Sequence, residues 1–160
     1  MEKYVGLVAR IFLSSLYFVS IILILQFIFA TPNGYEIYQR DLMSKGLYGF
    51  FAPLNIFIQL IFGIFLIVGY KIKLTSYVFA IFSILWVFTY FRILGALPNL
   101  ETLPANITPE IYQDILYKMK DLPIKILLYL SLFGGFLYMA ANHKMPLSID
   151  NLLEKRLQRK

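Results

Sequence analysis

The sequence predicts an all-α fold, an integral membrane four-helix antiparallel bundle with an extracytoplasmic amphipathic helix. Three observations predict it. Four long apolar runs carry no Asp, Glu, Lys or Arg, and each is long enough for a helix to cross a hydrocarbon layer. The chain is 59% hydrophobic and only 15% charged, with mean hydropathy +0.70, so lipid rather than water must be its main solvent. The second and third runs are joined by only Lys71-Ile72-Lys73, which forces an antiparallel hairpin.

Taken in order, the spans fall at about residues 8–30, 49–70, 74–92 and 124–142, within a single domain over 1–160, and 143–160 forms a basic cytoplasmic tail. The first apolar core is longer than a signal peptide's and no A-x-A pattern follows, so it is read as a retained helix. Thr31-Pro32-Asn33-Gly34 ends it, because Pro32 lacks an N–H and Asn-Gly favours a turn; the next helix is expected after Lys45-Gly46. Lys125 and Arg92 lengthen the two shorter spans by snorkelling to the headgroups. Between spans three and four, Pro98, Pro104, Pro109 and Pro123 predict a broken segment holding one surface helix. Thr108 caps it, and Ile111, Ile115, Leu116, Met119 and Leu122 share a face opposite Glu110, Asp114, Lys118 and Asp121. Residues 150–160 predict a second surface helix with Leu152, Leu153 and Leu157 turned inward.

Nine of the 15 basic residues fall on the side shared by the N-terminus, the Lys71–Lys73 turn and the tail, so both termini are expected in the cytoplasm. The basic residues flank apolar spans, which suits anionic lipid headgroups and not nucleic acid. Tyr4, Tyr35, Tyr38, Tyr48, Tyr70, Tyr77, Tyr90 and Phe91 stand near span ends as interfacial anchors.

Polar groups inside a bilayer are costly, so they are where function is sought first. On the second span Asn55, Gln59 and Gly63 recur every four residues on one face, with Gln59 near the midplane. The two amides are candidates to hydrogen-bond the carbonyl of a quinone or a similar amphipathic ligand; the plainer reading is helix–helix adhesion, with Gly63 allowing close approach. On the first span Arg10, Ser14 and Tyr17 have helical spacing, which makes Arg10 a candidate anchor for an anionic or lipid headgroup, or simply a tether for the helix end. Ser131, Gly134 and Gly135 form a small-residue surface suited to packing. Gln26, Ser20 and Ser83 carry no separate signal, since a serine can bond its own helix.

Absences narrow the chemistry. The chain has no cysteine and one histidine, His143, so thiol chemistry, thiolate metal sites and a bis-histidine haem within one chain are excluded. No acidic residue lies inside a span, against a carboxylate proton relay, and no P-loop, dinucleotide fingerprint or nucleophile–base pair is present. No catalytic residue, metal site or intrinsic cofactor is assigned.

The order and punctuation of the spans resemble the DoxX family of small bacterial and archaeal membrane proteins. The likeness rests on Arg10 in helix one, on Gln59-Leu60-Ile61-Phe62-Gly63 leading to Gly69-Tyr70-Lys71-Ile72-Lys73, and on Lys125, Leu132-Phe133-Gly134-Gly135 and Ser148-Ile149-Asp150. It departs from the family at Gln59, where many members carry glutamate, and at Phe91-Arg92, where histidine is common. It departs also in the long 95–123 segment, which suits partner docking. The resemblance implies a prokaryotic cell-membrane protein, a subunit or scaffold of a quinone-linked oxidoreductase complex that is not catalytic alone. Its partners would be lipids and protein subunits, and Asn55, Gln59 and Arg10 its quinone or lipid contacts. A purely structural subunit, or a carrier for a small neutral or lipid-like molecule, are the alternatives.

Overall fold

The computed structural model describes residues 2–98, 108–142 and 148–157, with the side chains of 2–6, 153 and 157 excepted. It has six helices among these residues: α1 (Glu2–Ala30), α2 (Gly34–Ser44), α3 (Phe51–Val68), α4 (Ile72–Gly95), α5 (Pro109–Ala141) and α6 (Ile149–Leu157). The middle of α3, Ile58–Phe62, is a π-helical turn. Four helices are long and apolar enough to cross a membrane: Leu7–Ala30, Phe51–Val68, Ile72–Gly95 and Pro109–Ala141. Large apolar side chains lie on their outer faces, Phe29 at 83% exposed and Phe12 at 71%, an arrangement stable only where lipid covers them.

Local chemistry sets the helix ends. Asn33 adopts the left-handed conformation (φ 56°) between α1 and α2, which an asparagine tolerates better than most residues. α3 closes on Gly69 at φ 73°, where the Gly69 N–H bonds Leu66 O at 3.3 Å and the Tyr70 N–H bonds Phe65 O at 2.9 Å. This paired capping satisfies two orphan carbonyls and needs a residue without a Cβ. An added Cβ at Gly69 would also stand 2.3 Å from Arg10 Nη1.

Two helical expectations change. α2 occupies a segment in which no helix is expected, with Tyr38 and Leu42 buried one turn apart. The surface helix before span four is not separate: α5 runs unbroken from Pro109 through Pro123 to Ala141. A proline removes one N–H and crowds one carbonyl, and the buried Ile115, Leu122, Ile126 and Leu132 along one side of α5 hold the helix together across that defect. Ile111 and Met119, placed on the same face by the sequence, are exposed. In α6 Leu152 is 62% exposed rather than inward. Residues 99–107 and 143–147, with Pro104 and His143, lie outside the described residues.

The most extensive packing joins α4 to α5, not α3 to the α4 that follows it directly. A three-residue turn fixes only the ends of two helices, whereas the area they share depends on side chains along their length. Those of α4 point at α5: Phe79 stacks on Phe136 at 5.2 Å, and Trp86 and Tyr90 lie 6.0 and 5.7 Å from Tyr129. Tyr17 from α1 completes the core 4.6 Å from Phe79, with its hydroxyl 2.7 Å from Ser83 Oγ.

The glycines of α5 divide sharply. An added Cβ at Gly135 meets Leu13 Cδ2 at 3.0 Å, while at Gly134 it meets nothing within 4 Å. Gly134→Ala is therefore expected to stabilise by about 0.5–1 kcal/mol through helix propensity, and Gly69→Ala to destabilise by about 1–3 kcal/mol. Thermal unfolding in detergent checks both, and equal losses at the two positions would contradict the packing described.

Candidate functional site

The predicted face of α1 is real: Arg10, Ser14 and Tyr17 are 2%, 0% and 3% exposed. Arg10 is buried at the end of the bundle where three segments meet, packed against Gly69, which Ser148 also approaches, and within electrostatic reach of Asp150. Asp150 in turn caps α4, its Oδ1 accepting the Lys71 N–H at 2.8 Å and its Oδ2 the Ile72 N–H at 2.9 Å. Its own N–H bonds Gly69 O at 3.2 Å. A carboxylate on the first amides of a helix satisfies orphan donors and complements the helix dipole. Here it comes from 78 residues away along the chain.

The predicted face of α3 is also buried, Asn55 at 2% and Gln59 at 3%. Gln59 Nε2 donates to Asn55 Oδ1 at 2.6 Å, and Asn55 Nδ2 donates to the Tyr38 hydroxyl oxygen. Tyr38 and Tyr90, expected as interfacial anchors, are both 9% exposed and serve inside the bundle instead. Gly63 gives no close approach, since a Cβ there would meet Phe18 only at 3.9 Å. What aligns Gln59 with Asn55 is their spacing of four; the π-helical turn that includes Gln59 is a form frequent at functional sites.

This hydrogen-bond chain has a direction. Each amide N–H points toward Tyr38, so the Tyr38 hydroxyl proton is the outgoing donor, and donors in series polarise one another. At the other end Gln59 Oε1 is buried with no partner among the described residues. Burial pushes the Tyr38 hydroxyl above the usual tyrosine range, with the Asn55 bond partly offsetting it, so it stays a neutral donor near pH 7. Tyr38 lines a groove of about 420 Å³ between α1 and α2, together with Leu23, Ile24, Phe27, Ile37 and Asp41. The contribution of Tyr38 was hidden in the sequence by its position near a span end. A signal was available in Tyr38 and Leu42, four apart and flanked by charges.

At the end of the bundle opposite Arg10, a polar cleft of about 320 Å³ lies between α2 and α5 over Tyr90. Its charges are paired within their own helices, Lys45 with Asp41 at 2.5 Å, Lys118 with Asp114 at 2.7 Å and Lys125 with Asp121 at 2.5 Å. Arg92 Nη2 donates to Lys45 O at 2.6 Å, tying α4 to the loop after α2. These four-residue spacings were legible, but their convergence was not. Among the described residues no group of three or more His, Cys, Asp or Glu could hold a metal ion.

A family model described as DoxX matches residues 5–92. The likeness noted at Lys125, Gly134-Gly135 and Ser148-Ile149-Asp150 lies beyond that match. No curated protein and no solved structure matches the chain.

Asn55→Leu strands both the Tyr38 oxygen and the Gln59 amide, and is expected to cost about 1–2 kcal/mol, whereas Tyr38→Phe removes one bond and costs at most about 1 kcal/mol. Unfolding of the two variants side by side checks the order; a larger loss for Tyr38→Phe would contradict the chain as drawn.

Proposed function

The chain belongs to the DoxX family, and from that membership and its buried polar chain we propose that this multi-pass membrane protein is a non-catalytic subunit or scaffold of a quinone-linked oxidoreductase complex. Its place is the cytoplasmic membrane of a prokaryotic cell, with both termini inside. The observation that carries the quinone link is the directional chain from Gln59 through Asn55 to Tyr38, a residue that also lines a groove with largely apolar walls. A quinone carbonyl is an acceptor on an apolar ring and tail, which is the chemistry such a groove takes: hydrocarbon against Leu23, Ile24 and Phe27, and one positioned donor for the polar end. In this reading Tyr38 touches the ligand, and Asn55 and Gln59 orient it from behind. In the same reading Arg10 holds the bundle end together beside Gly69 and Asp150.

Having no cysteine, the chain offers no dithiol couple to the quinone. Oxidation and reduction of the quinone would belong to a partner subunit, and the polar cleft over Tyr90 offers that partner paired charges at the opposite end from Arg10. A second reading has its own support. The amide chain ties α2 to α3 with its N–H groups satisfied internally, as a purely structural or assembly subunit requires.

The deciding experiment is mild solubilisation from the native membrane followed by mass spectrometry of copurifying proteins and quinones. A stoichiometric redox enzyme together with quinone is the expected result. Quinone content should fall about 5-fold in Tyr38→Phe, the equivalent of one hydrogen bond, and by less in Gln59→Leu, which acts only through Asn55, with the partner still bound. A partner without quinone in the wild type would leave the structural subunit as the better reading; a chain that emerges alone would overturn both.

A further inference from the structure

We propose that the turn between α3 and α4 is a binding site for an anionic phospholipid, with the phosphate at Lys71 and Lys73 and an acyl chain along Leu74 and Tyr77. A groove of about 440 Å³ opens there, lined by Lys71, Lys73, Leu74, Tyr77 and Asp150. Its two halves differ in chemistry. At the rim stand the two lysines, both exposed, with Lys71 Nζ held 5.5 Å above the Tyr70 ring, which keeps the ammonium at the mouth of the groove. Leu74 and Tyr77, 53% and 43% exposed, continue up the first turns of α4 into an apolar span. A ligand that fills both halves carries an anion and a hydrocarbon chain in one molecule.

The charge balance also favours an anion. The amides at the start of α4 already hold the Asp150 carboxylate, so the helix terminus is not the attracting element. Buried beside that carboxylate is Arg10, and the three cations Arg10, Lys71 and Lys73 outweigh the one anion. The excess sits on the lysines, where lipid phosphate lies. Free phosphate would gain the lysines but nothing from the apolar wall, so the bilayer lipid is the occupant assigned here.

The test uses the full chain reconstituted in phosphatidylcholine bilayers with and without phosphatidylglycerol. It reads unfolding temperature and the lipid retained by the protein in native mass spectrometry. The wild type should unfold at higher temperature with phosphatidylglycerol present and retain it selectively. In the Lys71→Gln, Lys73→Gln double variant that affinity should drop roughly 30-fold, on the scale of two juxtamembrane lysines, and in Lys73→Gln alone about 5-fold. The double variant should unfold like the wild type in pure phosphatidylcholine. Lys120→Gln, at the other end of the bundle, should retain the lipid as the wild type does. Undiminished retention in both lysine variants, or an equal loss in Lys120→Gln, would overturn the site. A thermal shift reproduced by inorganic phosphate alone, without phosphatidylglycerol, would overturn the lipid as its occupant.

Discussion

A guanidinium buried at the edge of a membrane bundle constrains everything around it. Arg10 is 2% exposed, and a charge in such surroundings persists only where opposite charge and polar groups meet it. The molecule assembles those surroundings from two distant segments. Ser148 and Asp150 arrive from beyond α5, and Gly69 leaves the space that the arginine fills. The same Asp150 caps α4, so the packing of α1, the turn into α4 and the docking of α6 stand or fall together. Such an arrangement gives a lipid-exposed bundle a fixed register at one end. Apolar contact alone does not, because lipid tails compete for every apolar face.

The opposite end is ordered by a different logic. There the amphipathic α2 lies across the bundle, its charges paired along its own surface and Tyr38 turned inward to Asn55. Arg92 fastens to the backbone of Lys45, and the stacked Trp86, Tyr90 and Tyr129 lie beneath. A largely apolar groove between α1 and α2 and a polar cleft between α2 and α5 thus share one short helix. Tyr38 and Asp41, three residues apart, line the groove, and Asp41 also lines the cleft.

The inward faces of α1 and α3 were legible because helical periodicity leaves little choice: Arg10, Ser14 and Tyr17, and Asn55 and Gln59, each recur at spacings that share one side. Tyr38 and Tyr90 were misread because tyrosine near a span end serves equally as an anchor in headgroups or as a buried donor, and only the neighbouring helix decides which. Pro123 was misread for a related reason. Proline's local cost argues for a break, and packing distributed along α5 outweighs it.

What the sequence determined by itself is therefore the class of solvent, the number of spans, their alternating direction and the inward faces of α1 and α3. All of these follow from transfer free energy and from the period of the helix. What only the tertiary structure decided is which of those faces meet. The pairing of α4 with α5, the reach of Asp150 to the start of α4 and the polarity of the Gln59–Asn55–Tyr38 chain depend on contacts between residues far apart in sequence. No local pattern encodes such contacts, because apolar helices of similar length can be arranged in several orders whose energies differ only through side-chain fit.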